Sequence, residues 1–353
     1  MVQHSPQTTV LTLPLLPTTK PLLASFLSST LSSNHVVLEL SKASEDELRA
    51  ALKDDGMVVC AGSLAKIAHL LAPAQRAFFD ATEDSHLFRT LIQPAFPDFI
   101  CHKSRTPWSV ELDWSGGRRF VVKPNIGYSS VDTFVVGSQA ELAALETAVI
   151  SSSEVDFIIE EFIEGAFVCA DLVMEKGAVA VTSVYHRYDY GIKETAQAHT
   201  SALYAQHAGN FRELAKNVVA RLLPVPDTRV MLNVEAKLGA DGVLRIIEIN
   251  PFRACGVAPL AASILFGRNV FDLAFAPVLD EAVVVPEGDR EIVAVFARER
   301  GQRAVELLPP ILEAMEQLDG KKRRGVEVER ILEEKDFETF AISEGVLFDI
   351  TMI

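Results

Sequence analysis

The chain has 353 residues, 49% hydrophobic and 23% charged, with a formal net charge of -15. That length suits about two to three packed units with a sizeable core. The acidic balance excludes general binding to nucleic acid or to an anionic membrane, both of which need a basic footprint. Cys60, Cys101, Cys169 and Cys255 lie far apart without a CxxC pair. Reduced thiols in a cytoplasmic protein are therefore expected, with no zinc knuckle. The N-terminal stretch lacks a charged segment followed by a long apolar core and is interrupted by Pro14, Pro17 and Pro21. Neither a signal peptide nor a transmembrane helix is expected.

Residues 1–83 read as a small α/β unit. VVLEL and MVVCAG look like buried strands, and between them Ser44 with Glu47 three residues on marks a helix start. LAKIAHLLAPAQRAFF follows as a second apolar helix with Pro73 in its course. A β-α-β-α run of this kind predicts a small parallel sheet. Residues 84–165 form the next unit. HLFRTLI is a short helix, RRFVVKP and DTFVVGS are strands joined by NIGYSSV, an amphipathic helix starts at Ser138, and DFIIEEFI is a strand. In residues 166–353, FVCADLVMEKGAVAVTSVYHRY predicts a hairpin turning at Lys176-Gly177, and a helix runs from Asn210 to Leu223 before Pro224. RVMLNVEAKLGADGVLRIIEINP is the clearest hairpin, with Asp241-Gly242 at its turn. A small-residue helix, a strand (EIVAVFARE) and a charged helix pair complete the chain.

Three segments carry chemistry. In the first, a strand ends at Lys123-Pro124 and runs into a loop with Gly127, Ser129 and Ser130. Such a loop presents backbone N–H groups to phosphate oxygens, and the lysine adds a point charge. In the second, an apolar strand passes into Glu160, Glu161, Phe162, Ile163 and Glu164, which supplies the apolar slot and backbone groups that a purine needs. In the third, Glu235 lies on one strand of the clearest hairpin, and Glu248 and Asn250 share a face of the other at period two. Two carboxylates and a carboxamide suit magnesium, and like charges on adjacent strands require a cation between them. The stretch VYHRYDYGIKETAQAH, with His186, Arg187, Tyr188, Lys193 and His199, reads either as a substrate pocket wall or as a solvated loop.

In this order and spacing, the three segments resemble the ATP-grasp superfamily, which includes D-alanine–D-alanine ligase, biotin carboxylase and amino-acid ligases. The likeness runs from about Asp84 to Asp272. It implies an α/β (α+β) fold in which a small N-terminal α/β domain precedes two α+β lobes that clamp ATP. It further implies that Lys123 and Arg89 hold ATP phosphates, and that Gly127, Tyr128, Ser129 and Ser130 form a lid over them. The backbones of Glu161 and Ile163 would pair with adenine, within the hinge from Glu160 through Phe162 to Glu164. Glu235, Glu248 and Asn250 would bind one or two Mg2+ ions, with Mn2+ as a substitute. Arg253 would contact the transferred phosphate or the substrate, and Arg253 and Lys123 are the candidate catalytic residues.

The chain departs from the family pattern at several points. Asp132 stands where the lid has a second glycine, and Phe167 where a ribose-binding glutamate is usual, which leaves Glu164 as the candidate for that role. Phe252 makes Asn250-Pro251-Phe252-Arg253 one residue longer than the family's motif. The activity implied is ligation of a small carboxylate to an amine, an amino acid being the expected partner, through an acyl phosphate with release of ADP and phosphate. A homodimer is common among such ligases. A carboxylate–thiol ligase, a phosphotransferase and a non-catalytic nucleotide-binding module stay open as alternatives.

Overall fold

A computed structural model describes residues 8–12, 35–39, 43–52, 58–60, 64–65, 67–97, 99–127, 131–149, 155–190, 193–252, 258, 262, 265–266, 291–296, 342–343 and 346–349. The N-terminal strands β1 (Thr8–Thr12), β2 (His35–Glu39) and β3 (Val58–Cys60) form a sheet of order β2-β1-β3, with both pairings parallel. The helix Glu45–Leu52 begins with the expected capping box: the Ser44 N–H donates to Glu47 at 2.8 Å, and the Glu47 N–H donates back to Ser44 Oγ at 3.3 Å. The apolar run that follows is not one helix. A short 3-10 turn, Ala68–Leu70, precedes the helix Pro73–Glu83. Proline has no N–H and a fixed φ, so it begins a helix readily and disrupts its interior.

A second sheet has order β4-β7-β5-β6, antiparallel throughout, from β4 (Cys101–Ser104), β5 (Phe120–Pro124), β6 (Phe134–Val136) and β7 (Phe157–Glu161). Alternation along β5 and β7 sends Phe120, Val122, Phe157 and Ile159 into a core with Leu142 and Leu145 of the helix Gln139–Val149. Lys123 and Glu160 are thereby left on the opposite face.

The third sheet has eight strands in the order β12-β11-β8-β9-β10-β13-β15-β14. They are β8 (Ala166–Glu175), β9 (Ala178–Tyr190), β10 (Lys193–Thr200), β11 (Val230–Leu238), β12 (Leu244–Pro251), β13 (Glu291–Phe296), β14 (Ile342–Ser343) and β15 (Val346–Asp349). The β8–β9 turn falls at Lys176-Gly177, both with positive φ. One face of this sheet is apolar: Val168, Ala170, Leu172, Val181, Leu232, Val234 and Ile249 pack against Phe78, Leu203, Tyr204 and Phe211 from the helices Pro73–Glu83 and Ser201–Leu214. The polar stretch with the two readings of pocket wall and solvated loop is no loop: it forms the end of β9 and nearly all of β10. The next helix starts at Ser201, well before Asn210, because the Thr200 hydroxyl accepts the Leu203 N–H and caps it. Among the described residues, no helix is long and apolar enough to cross a membrane.

Gly165, between β7 and β8, has φ +127, and a Cβ there would lie 2.1 Å from the Leu238 carbonyl oxygen. Only glycine permits this approach of the hinge to β11.

Candidate active site

The site lies where the small sheet meets the polar face of the large one. Its first part is a buried charge cluster. Glu160 points from β7 to the face that carries Lys123, whose Nζ is 2.7 Å from one carboxylate oxygen. Arg89, from the helix Ser85–Ile92, donates through Nε to the other oxygen at 2.7 Å. The rest of its guanidinium donates to the Ile246 carbonyl at 2.6 Å and the Ile247 carbonyl at 2.7 Å. These carbonyls belong to a bulge in β12, where the register shifts after Glu235. Burial alone would push the Glu160 carboxyl up, but the Arg89 and Lys123 charges outweigh it and hold it at about 2. Arg89 therefore ties hinge strand to hairpin, and its N–H groups face Glu160 and the bulge.

The hinge follows directly. The Glu161 N–H donates to Ile100 O at 3.1 Å and the Phe162 N–H to Arg119 O at 2.8 Å, and Ile163 lies just beyond the strand. Glu164 accepts two hydrogen bonds from Arg119, at 3.1 and 2.6 Å. Gly127 is exposed at the end of the loop from β5, while Ser129, Ser130 and Tyr128 lie outside the described residues. Asn125 fixes the root of that loop: its carbonyl accepts the Ser85 N–H and its side chain the His86 N–H, so the loop starts from a helix terminus. Asp132 has φ +53, the left-handed conformation that glycine favours and aspartate tolerates.

The second part lies on the large sheet. Glu235 pairs with Glu248, and Asn233 with Asn250, across β11 and β12. Asn250 Nδ2 donates to Glu235 Oε1 at 3.3 Å and to Asn233 Oδ1 at 3.1 Å. Glu235 and Asn250 are buried, whereas Glu248 is exposed. Arg187 on β9 donates to Glu235 and, through Nε, to Asp189 at 2.7 Å. Oxygen donors alone suit magnesium in kind. No three His, Cys, Asp or Glu side chains among the described residues gather closely enough to hold a metal. Arg253 lies outside the described residues, just after Phe252, which has φ +61 and a buried ring edge-on to Phe78.

Beneath these groups runs a polar network, of which the sequence reading singled out only His199. Asn233 Nδ2 donates to Asp171 at 3.0 Å and to the Tyr185 hydroxyl at 2.9 Å, and Ser183 donates to Asp171 at 2.9 Å. His199 stacks on Tyr185 at 5.0 Å, fully buried, and burial pulls its pKa down to about 3. Lys237 lies two residues beyond Glu235 on the same face and was also missed. The signal for both was the alternation of Asn233, Glu235 and Lys237 within an otherwise apolar run.

A small antiparallel sheet hinged to a large one, with paired cations on one side and oxygen donors on the other, is a two-lobed α+β clamp. Residues 117–259 match the family model of the ATP-grasp domain. Three solved structures show the same fold. An L-amino acid ligase from Bacillus licheniformis is 16% identical, with a TM-score of 0.52 over 78% of this chain and 75% of that one. A carboxyaminoimidazole ribonucleotide synthase from Aspergillus clavatus, complexed with ATP, is 14% identical with a TM-score of 0.57 over 86% of each chain. An N5-carboxyaminoimidazole synthetase from Staphylococcus aureus is 11% identical with a TM-score of 0.57 over 82% of each. No curated protein sequence matches the chain.

Proposed function

We propose that the protein is an ATP-dependent ligase that joins a small carboxylate to an amine, an amino acid being the expected partner. The observation that carries this reading is the register of β11 and β12, which sets Glu235 opposite Glu248 and Asn233 opposite Asn250. Arg187 already meets Glu235 on one side, and a divalent cation would draw Glu235, Glu248 and the Asn250 carboxamide together as oxygen donors on the other. Magnesium bound there would neutralise charge on the phosphates.

The remaining roles fall to the chain's own groups. Lys123, near the end of β5, would contact a phosphate from the side opposite the donors. Glu161 and Ile163 would offer backbone groups to the base. The Gly127 loop would cover the phosphates and keep water out. Arg187, in contact with Glu235, would hold the substrate carboxylate or its phosphorylated form. The carboxylate oxygen takes the γ-phosphoryl group, giving an acyl phosphate and ADP. The amine then attacks the acyl carbon, phosphate leaves, and the amine proton passes to solvent. An L-amino acid ligase among the structures of the same fold is in keeping with this choice of substrate, and the free thiols Cys101 and Cys169 suit a reducing cytoplasm.

The test is ATP turnover with magnesium, supplying amino acids and small carboxylates singly and in pairs. ADP and phosphate released with a particular pair, and lost in Glu248→Gln, is the expected result. AMP and pyrophosphate would overturn the acyl-phosphate route. ATP binding with no turnover for any pair would favour the non-catalytic reading.

A further inference from the structure

Lys237 is a buried lysine, with 7% of its surface exposed. Its ammonium lies 4.0 Å from the centre of the Phe162 ring and 4.7 Å from that of Phe167. Among the described residues it has no ion-pair or hydrogen-bond partner beyond these rings. The nearby acid Glu164 is engaged by Arg119. Burial holds the lysine's pKa below its ordinary value, against the pull of Glu164 and Asp189. Two rings attract an ammonium electrostatically but accept no conventional hydrogen bond, so the three N–H donors have no protein acceptor among the described residues and are open to a ligand. Such a group gains when a ligand brings an acceptor.

The strand fixes where that acceptor must be. Glu235 and Lys237 lie on one face of β11, one pleat repeat or about 7 Å apart. Phe162 belongs to the hinge. The ammonium therefore lies between the hinge, where the base is placed, and the carboxylate, where the metal-bound phosphates are placed. In a nucleoside triphosphate the ribose occupies that interval.

We propose that Lys237 recognises the sugar of the bound nucleotide, turning from between Phe162 and Phe167 to donate a hydrogen bond to a ribose hydroxyl. The inference rests on the reading of hinge and hairpin as an ATP site. Phe162 and Phe167 then act as a resting place that keeps the cation buried and aimed along the strand. A phosphate contact would make Lys237 indifferent to the sugar; a ribose contact makes it sensitive to one hydroxyl.

The experiment is equilibrium binding of ATP, 2′-deoxy-ATP and 3′-deoxy-ATP to the full chain, with magnesium and no second substrate, by titration calorimetry. The wild type is expected to bind ATP about tenfold more tightly than one of the deoxynucleotides, the usual effect of one hydrogen bond to a charged donor. In Lys237→Met, whose straight apolar chain fits between the rings, ATP should fall to the level of that deoxynucleotide and the preference should vanish. A Met variant that weakens all three nucleotides equally and keeps the preference overturns the proposal. So does a wild type that binds ATP without preference, and this arm needs no variant to fold. Failure of the wild type to bind any of the three would instead sink the ATP site itself, and this inference with it.

Discussion

The two halves of the site use charge in opposite ways. On the small sheet, two cations, Arg89 and Lys123, converge on one buried carboxylate, Glu160. On the large sheet, Glu235, Asp189 and Asp171 are gathered with Arg187 as the cation in direct contact. The first cluster has positive charge to spare for a phosphate; the second has negative charge to spare for a metal ion. On the proposed reading, a nucleotide–metal complex between them would meet a complementary partner on either side, which the net charge of the whole chain would never suggest.

The sharpest way to break this symmetry is to remove Arg89. Arg89→Met leaves Glu160 buried beside Lys123 alone and strips the β12 bulge of its donor. A loss of about 3–5 kcal/mol in unfolding free energy is expected, read by urea denaturation. Arg89→Met/Glu160→Leu should recover part of it, since an apolar pair needs no partner. Full stability in the single variant would show that the cluster is not the tie between lobes.

Acid should find the second half first. His199 is buried with its pKa depressed to about 3 from 6.5. Below pH 6.5 the unfolded chain takes up a proton that the folded one refuses. Stability therefore drains as pH falls from 6.5 towards 3, by about 1.4 kcal/mol per pH unit once well below 6.5. Glu160 is depressed from 4.5 to about 2, so its contribution is full above 4.5 and is lost as pH falls from 4.5 through 2. Unfolding measured from pH 7 to pH 4 should steepen below 6.5 in the wild type and flatten in His199→Gln. An identical slope in the two would remove His199 from the account.

A smaller effect separates the network from the donors above it. Asn233→Leu withdraws the donor to Asp171 and the acceptor of Asn250, and should cost about 1–3 kcal/mol. It should also weaken Mn2+ binding, measured directly by calorimetry, because Asn250 is then free to turn. Unchanged Mn2+ affinity would mean that Asn250 needs no support from below. The smallest effect is expected at Glu164→Gln. Its bond with Arg119 is exposed, and such pairs contribute little. A melting shift under about 2 °C is expected; a larger one would make the Arg119–Glu164 contact part of the hinge.

The hairpins and the candidate donors were legible because their signals are local. Lys176-Gly177 and Asp241-Gly242 mark turns, and counting outward from the second turn brings Glu235 opposite Glu248 even though a bulge intervenes. What escaped was polar residues used as core. Gln197 and His199 are fully buried on β10, yet KETAQAHT has no apolar alternation and reads as a pocket wall or a solvated loop. Asp171 and Ser183 hide likewise in strands that look uniformly apolar. Hydrophobic periodicity detects a face that avoids water; it is blind to one whose polar groups satisfy each other. The helix start at Thr200 was lost for the same reason, its cap lying inside a polar run. The placement of Arg89 was beyond reach, since its partners lie far along the chain.

The guanidinium of Arg89 can also be viewed as an axle. It joins β7 to the bulge of β12 at one buried point, and the strands of the small sheet extend from that point in the order β7, β5, β6 on one side. A body pinned at one edge swings most at the other. Rocking of the small sheet would then displace β7 little, β5 and its Lys123 somewhat, and β6 with the Gly127 turn most. Amide exchange should rank the three strands in that order. The lever would place the largest travel at the rim over the phosphates and the least beside the base, so a nucleotide could stay seated by its purine while the far end opens to release what was made.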